Sequence, residues 1–368
     1  MDRSDEDMCI MNRFLVLLLS VVAGSASAQG VVNVYNWSDY IAEDTIAKFE
    51  AKTGIKVNYD VFDTNELLEA KLLAGSSGYD VVVPTGNFLE RQIQAGVFRQ
   101  LDKSKLPNLS NMDPDIMRIV EQHDPSNAHS VVYMWGTTGF AYNVKAIQER
   151  MPDAPVSSWA MIFDPNVVSK FADCGVAILE SPTDILASAK HYLGLDPESE
   201  SADHLKQAEE LLMGVRDHIR YFHPSQYIND LANGDICLAV GYSGDLLQSR
   251  DRAADAKNGI EIEYVIPEEG GVVWFDLMAI PADAPNTEEA HQFINFIMDA
   301  QISADITNYV FYANANAAST ELVNPEVTSD PGIYPSDEVK AGLFALKAFS
   351  PRYDRIMNRT WTRIKTGQ

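Results

Sequence analysis

The stretch VVNVYNWSDY, residues 31–40, decides how the N-terminal part of the chain folds. Its first four residues form an apolar, β-branched run that is typical of a buried strand. The next segment, AEDTIAKFEAKTG (42–54), has the composition of a helix and should end at Gly54, a residue suited to a helix C-terminus. The turn between them carries three aromatic residues and a carboxylate, whereas turns are usually small and polar. This composition makes the turn a candidate binding site.

The same alternation of strand and helix continues along the chain. Apolar strand-like runs at 56–62 and 79–84 alternate with helical segments at 65–75 and 88–98. Apolar strands joined by helices predict an α/β fold with parallel sheets covered on both faces. The length of this pattern favours two lobes.

Three extended segments are candidate crossings between these lobes. VVYMWGTTGFAYN (131–143) and IEIEYVIPEEGG (260–271) contain glycines and strand-like residues, and YANAN (312–316) is a third candidate. We expect lobe 1 to comprise 29–135 and 267–311, and lobe 2 to comprise 136–266 and 312–368.

The charge balance is strongly acidic, with 53 acidic and 28 basic residues and a formal net charge of −25. This balance argues against nucleic acid and anionic membrane surfaces as partners, because both would repel the protein. It is compatible with cationic ligands.

The N-terminus predicts export. From Met11 the chain reads MNRFLVLLLSVVAGSASA, a basic residue followed by an apolar run and an A-x-A cleavage site. Residues 1–28 are therefore predicted to be a signal peptide, and the acidic decapeptide before Met11 indicates that Met11 is the true start. No cysteine lies at the cleavage site for a lipid anchor. We expect a soluble, exported mature protein beginning near Gln29.

Export affects how the cysteines are interpreted. Cys9 lies before the predicted cleavage site, which leaves Cys174 and Cys237 in the mature chain. Two cysteines in an oxidising compartment favour one disulfide, here between the ends of two neighbouring strands. Two separate buried thiols are the alternative.

Signatures of enzymes and metal sites are scarce. The sequence has no GxSxG, GxGxxG, Walker, HExxH or CxxC motif. The seven histidines are scattered without the spacing of metal ligands, so we expect them on the surface or in packing. We predict no catalytic residue, no metal and no cofactor.

Aromatic and acidic residues recur where strands end. The turn at 35–40 is one case, Tyr242 and Asp245 form a second, and Trp274 and Asp276 share one face of a third strand. Carboxylates accept hydrogen bonds from an ammonium group, while aromatic faces attract the cation and cover an alkyl chain.

Each of these residues also has a plain structural interpretation. Asp39 and Asp245 could cap the helices that follow them. Trp37 and Trp274 could be core residues, and Tyr35 is expected in the core. Asp276 is harder to explain in this way, because a charge inside an apolar strand is costly unless it is paired.

Longer stretches carry a family resemblance over essentially the whole mature chain. It rests on YNWSDYIAEDT, TGIKVNYDVFDTNE, LDKSKLPN, SQYINDLANGDIC, WFDLMAIPADA, VFYANAN and WTRIKTGQ. These stretches closely resemble the periplasmic polyamine (putrescine/spermidine)-binding proteins of ABC transporters. The resemblance implies a two-lobe periplasmic-binding-protein fold of type II that closes on a polyamine in the cleft. It also implies delivery of the ligand to ABC permease subunits. Separately, we expect a monomer without a direct membrane anchor.

The resemblance also implies a set of ligand-binding residues. Its aromatic members are Trp37, Tyr40, Tyr242, Trp274 and Tyr312; its carboxylates are Asp39, Asp184, Asp245 and Asp276; and its hydroxyl residues are Ser38 and Thr85. The cysteine pair of the family falls on Cys174 and Cys237.

The chain departs from the putrescine-binding pattern at several of these positions. Asp184 replaces a glutamate, Tyr242 replaces a tryptophan and Trp274 replaces a phenylalanine. Tyr242 and Trp274 are closer to the spermidine-preferring members, and Pro224 removes a hydroxyl near the site. These departures leave the choice between putrescine and spermidine open.

Two rival functions remain. A secreted hydrolase could use Asp184 or Asp245 as an acid or base, and would change its substrate chemically. A sensor could present bound polyamine to a membrane receptor, and sequence alone does not separate this role from transport.

Overall fold

The computed structural model describes residues 30–368. The predicted signal peptide at 1–28, the proposed start at Met11 and the mature N-terminus at Gln29 lie outside the described residues. Within the described part of the chain, no helix is both long enough and apolar enough to cross a membrane.

The described residues contain ten β-strands. They are β1 Val31–Trp37, β2 Lys56–Phe62, β3 Val81–Val82, β4 Ser130–Asn143, β5 Val176–Leu179, β6 Tyr221–His223, β7 Leu238–Tyr242, β8 Ile262–Val265, β9 Val273–Ala279 and β10 Ala313–Asn314.

The same part of the chain contains sixteen α-helices, several of them only one turn long. They are α1 Thr45–Thr53, α2 Asn65–Leu73, α3 Gly86–Gln94, α4 Pro114–Val120, α5 Val144–Arg150, α6 Ala160–Phe163, α7 Pro165–Val168, α8 Pro182–Tyr192, α9 Ala202–Val215, α10 Tyr227–Asn233, α11 Ser243–Ala256, α12 Thr287–Ile297, α13 Ala300–Val310, α14 Pro325–Thr328, α15 Asp337–Ala341 and α16 Pro351–Thr366.

The N-terminal strand and helix form where the sequence predicts them. β1 pairs in parallel with β2 and with β3, and Tyr35 is buried as expected. α1 ends at Gly54, whose φ of 73° is left-handed and whose N–H donates to the carbonyl of Glu50 at 2.8 Å. The suggested capping role of Asp39 is wrong, because Asp44 occupies the N-cap position of this helix.

β4 connects two sheets and so defines two lobes. Its first half, from Ser130 to Thr137, pairs antiparallel with β9, and its second half pairs with β7 and β8. The resulting strand order is β2-β1-β3-β9-β4-β7-β5-β6. One hydrophobic cluster packs around β1, β2, β3 and β9, and a separate cluster packs around β5 and β7. The prediction of a two-lobe α/β fold is confirmed, and the predicted crossing at 131–143 coincides with β4.

The second and third crossings follow from strand pairing and packing. β8 belongs to the sheet of the second lobe and β9 to that of the first, so the chain passes between lobes within 266–272. The crossing predicted at 312–316 is wrong, because β10 pairs with Met134 and Trp135 in the first half of β4. Leu346 still packs in the first cluster and Phe349 packs in the second. We therefore propose a third crossing at 347–348.

A disulfide joins Cys174 and Cys237. These residues precede β5 and β7, which are parallel neighbours with Val176 opposite Leu238. The two Cα atoms lie 5.6 Å apart, within the usual range for a disulfide. The predicted pair is confirmed, and the alternative of two separate thiols is not what the structure has.

Reduction of this disulfide should destabilise the second lobe. The bond closes a loop with a sequence separation of 63 residues, and the chain-entropy estimate for such a loop is about 4 kcal/mol. Urea unfolding with and without dithiothreitol should show an earlier midpoint in the reduced protein. A Cys174→Ser/Cys237→Ser variant should behave like the reduced protein in both conditions. An unchanged midpoint would contradict the prediction.

Candidate functional site

A cleft between the lobes encloses about 790 Å³ of empty space, including its open mouth. Ten of the eleven predicted ligand-binding residues line it. These are Trp37, Ser38, Tyr40, Thr85, Asp184, Tyr242, Asp245, Trp274, Asp276 and Tyr312. The structure thus brings together residues that lie as much as 275 positions apart in the sequence, from 37 to 312.

The cleft lies where strands end. Trp37 is the last residue of β1, and Tyr242 is the last residue of β7. Thr85 follows β3 and precedes α3, while Trp274 and Asp276 lie on β9. In open α/β sheets the carboxyl ends of parallel strands meet at one edge, where ligands bind. The strand-end clusters in the sequence therefore mark this edge.

Five aromatic rings form a continuous wall. Trp274 contacts Tyr242 and Tyr312 edge-on, with a ring-centroid distance of 5.4 Å in both cases. Tyr40 packs perpendicular to Tyr312 at 4.9 Å, and Trp37 lies 6.3 Å from Tyr242. Edge-to-face contacts of this kind hold the rings in fixed orientations. The wall is apolar yet presents π faces that attract a cation.

Asp276 is a carboxylate buried at the first-lobe side of the cleft, with only 4% of its surface exposed. Thr85 Oγ1 donates a hydrogen bond of 2.7 Å to its Oδ1 atom. Burial raises the pKa of Asp276 to about 7, and the negative charges of Asp184 and Asp245 act in the same direction. The hydrogen bond from Thr85 lowers this pKa by less than burial raises it. Asp276 therefore takes up a proton at a higher pH than an exposed aspartate does.

Asp245 is buried at the second-lobe side and is held by two tyrosines. Tyr227 and Tyr312 each donate a hydroxyl hydrogen bond of 2.7 Å to its carboxylate. Burial raises the pKa of Asp245 to about 6 in spite of these bonds. The alternative role as a helix cap is wrong, because Tyr242 is the N-cap residue of α11 and Asp245 lies within its first turn.

Asp184 is the third buried carboxylate. Thr138 Oγ1 donates to it at 2.9 Å, and Ser181, the N-cap residue of α8, donates to its other oxygen. Burial raises its pKa. Sequence reasoning missed Ser181, Thr138 and the Tyr227 hydroxyl. The SPTD stretch at 181–184 has the spacing of an N-terminal capping motif and could have indicated the first of them.

Asp39 is the predicted residue that does not line the cleft. Its side chain is 43% exposed and pairs with Arg252 at 2.8 Å. Its backbone φ of 53° lies in the left-handed region that aspartate tolerates. The position of Asp39 gives no support to a direct ligand contact, and that role stays a prediction.

The lining contains residues that sequence reasoning did not select. Asn65 donates to Thr85 Oγ1 at 2.8 Å and so orients the hydroxyl that reaches Asp276. His123 also lines the cleft and is buried, in agreement with a packing role rather than a surface position. No group of metal-ligating side chains is found among residues 30–368.

The charged side chains that line the cleft are acidic. Three buried carboxylates face it, and no lysine or arginine is found among the residues of 30–368 that line it. Ionised carboxylates in an apolar site are costly without a counter-charge. A cation that enters the cleft supplies that charge. The site is therefore built for a cationic solute with an apolar body.

Two lobes, a shared central strand and a ligand-sized cleft between them define a solute-binding protein. The family model described as bacterial extracellular solute-binding protein matches residues 44–335. The chain belongs to this family.

Individual relatives are similar over nearly their full lengths. The putrescine-binding periplasmic protein PotF of Escherichia coli K12 is 51% identical over 95% of this chain and 96% of its own length. The putrescine-binding periplasmic protein SpuD of Pseudomonas aeruginosa is also 51% identical, over 98% of this chain and 100% of its own length. Among solved structures, a putative spermidine/putrescine ABC transporter protein from Listeria monocytogenes superposes with a TM-score of 0.82 at 30% identity. That superposition covers 92% of this chain and 100% of the other.

The raised pKa of Asp276 should make the ligand-free protein less stable as the pH rises. The folded-state pKa of about 7 lies above the ordinary value of 3.8, so the folded state binds the proton more tightly than the unfolded state. The free energy of unfolding should therefore fall between pH 5 and pH 8. In Asp276→Asn this fall should shrink by about 2 kcal/mol, since one pKa unit corresponds to 1.36 kcal/mol.

Urea titrations at the two pH values measure this effect. Asp173→Asn is the matched control, because Asp173 is 68% exposed and pairs with Arg150 on the surface of the second lobe. The control should show the same fall as the wild type. If the free energy of unfolding fell equally in the wild type and in Asp276→Asn, the raised pKa of Asp276 would be refuted.

Proposed function

We propose that this protein captures polyamines, namely putrescine, spermidine or both, in the periplasm and delivers them to the permease subunits of an ABC transporter. One observation carries the proposal. Three buried carboxylates and five aromatic rings line a cleft in which none of the described lining residues is a lysine or an arginine. This combination matches a flexible alkyl chain with ammonium groups.

The chemistry of an ammonium group fits these residues. Each ammonium has three N–H donors and requires acceptors for them when it leaves water. Asp276 and Asp245 lie on opposite lobes and supply charged acceptors. The aromatic wall covers the methylene chain and adds cation–π attraction of about 0.5–2 kcal/mol per contact. A diamine or triamine can therefore bridge the two carboxylate regions.

The named relatives support the same ligand class. Two relatives at 51% identity are called putrescine-binding, and relatives at about 30% identity are called spermidine/putrescine-binding. Tyr242 and Trp274 remain the residues that favour the longer polyamine. We keep both ligands in the proposal for this reason.

We also propose that the protein is monomeric, has no membrane anchor and is not an enzyme. In the hydrolase hypothesis Asp184 or Asp245 acts as acid or base. Both carboxylates, however, already accept hydroxyl hydrogen bonds on each oxygen, which suits fixed electrostatic groups. Recovery of unchanged polyamine after incubation would separate binding from hydrolysis. Growth on polyamine in a strain without the permease would separate sensing from transport.

Asp276→Asn should weaken polyamine binding strongly. The substitution keeps the shape of the side chain but removes the charge that balances a buried ammonium. Hydrogen bonds to charged groups contribute about 1.5–3 kcal/mol, so the dissociation constant should rise roughly 10- to 150-fold. Calorimetric titration with putrescine and spermidine at pH 7.5 measures the change.

Asp173→Asn serves as the control and should bind like the wild type. Wild-type protein that binds neither polyamine would refute the proposed function. Wild-type binding with unchanged affinity in Asp276→Asn would refute the role of Asp276 alone.

A further inference from the structure

Helix α3 of the first lobe both lines the ligand cleft and contacts the second lobe. Its first residues, Gly86, Asn87 and Phe88, line the cleft. Leu89 packs in the hydrophobic cluster of the first lobe, which fixes the helix to that lobe. The next turn of the helix carries Arg91 outside the cleft. The same short helix therefore forms part of the cleft wall and carries the arginine that contacts the second lobe.

Arg91 bonds to both lobes at once. Its Nε atom donates to Glu69 on α2 at 2.5 Å and one terminal nitrogen donates to the same carboxylate at 2.7 Å. The other terminal nitrogen donates to Asp354 Oδ2 at 2.8 Å. α2 packs in the first lobe, and α16, which carries Asp354, packs in the second. The guanidinium also lies 3.9 Å from the centre of the Phe88 ring. Glu69 and Phe88 thus hold Arg91 on the first-lobe side of its contact with Asp354.

The pair formed by Arg91 and Asp354 is shielded from solvent. The two side chains are 22% and 18% exposed. Among the described residues, Arg91 is the one cation paired with Asp354, and the Oδ1 atom of Asp354 has no hydrogen-bond partner. A half-buried carboxylate is stabilised by its single cationic partner, so its free energy rises when that partner moves away. Separation of the lobes would move it away.

We propose that the ion pair between Arg91 and Asp354 forms on lobe closure and strengthens the binding of every ligand by the same factor. Neither residue is among those that line the cleft, so the pair acts on the closed state and not on the ligand. A contact made only in the binding-competent state raises the population of that state and thus the apparent affinity. Arg91 and Asp354 are positioning residues in this scheme.

Asp354→Asn tests the inference. Putrescine, cadaverine and spermidine should each bind about three- to tenfold more weakly, because contacting groups couple with this magnitude. The loss should be equal for the three ligands and should lie in a faster dissociation rate, measured by stopped-flow fluorescence. Arg91→Gln should cause a similar loss, and the double variant should lose no more than either single variant. Melting temperatures of the ligand-free variants check that each is folded.

Glu209→Gln is the matched control. Glu209 accepts two hydrogen bonds from Arg363, which lies on the same helix as Asp354, but both partners pack in the second lobe. This variant should bind like the wild type. An unchanged affinity in Asp354→Asn, a loss that depends on the ligand, or an equal loss in the control would overturn the inference. The inference rests on the proposed function, but its failure is distinguishable, because the wild type would still bind polyamines.

Discussion

Burial of three carboxylates in one cleft is the constraint on which the rest of the site depends. Desolvation raises the pKa of Asp184, of Asp245 and of Asp276, and the charges of the first two raise that of Asp276 further. Asp276 comes from the first lobe and the other two come from the second. Lobe closure therefore brings negative charges together unless a cation lies between them. We infer that the ligand is that cation, and that its binding therefore favours the closed arrangement of the lobes.

The fold keeps this unfavourable arrangement in place. β4 runs through both lobes and carries Thr138, which donates to Asp184. The hydroxyl of Tyr227, on a fully buried side chain, orients Asp245, and Thr85 orients Asp276. Each carboxylate is thus positioned by hydroxyl donors, which satisfy part of its hydrogen bonding without neutralising its charge. The positive charge that balances these carboxylates must therefore come from the ligand.

The sequence predicted local structure and the composition of the site better than it predicted long-range contacts. The end of α1 at Gly54, the two-lobe fold and the residues at strand ends follow from short-range patterns and from the family resemblance. The pairing of Asp39 with Arg252 joins residues 213 positions apart and has no local signal. The third crossing was misplaced for a similar reason, since only the pairing of β10 with β4 shows which lobe it joins.

Proton release on ligand binding tests most directly whether the ligand is the counter-charge of the buried carboxylates. The measurement is calorimetric titration of putrescine at pH 6.5 in buffers of different ionisation enthalpy, where the slope of the observed enthalpy gives the protons exchanged. Asp276, with a pKa of about 7, is mostly protonated at this pH and should ionise when an ammonium binds beside it. We predict release of about 0.8 proton per ligand bound. Binding with no proton release, or with proton uptake, would contradict this role of the ligand.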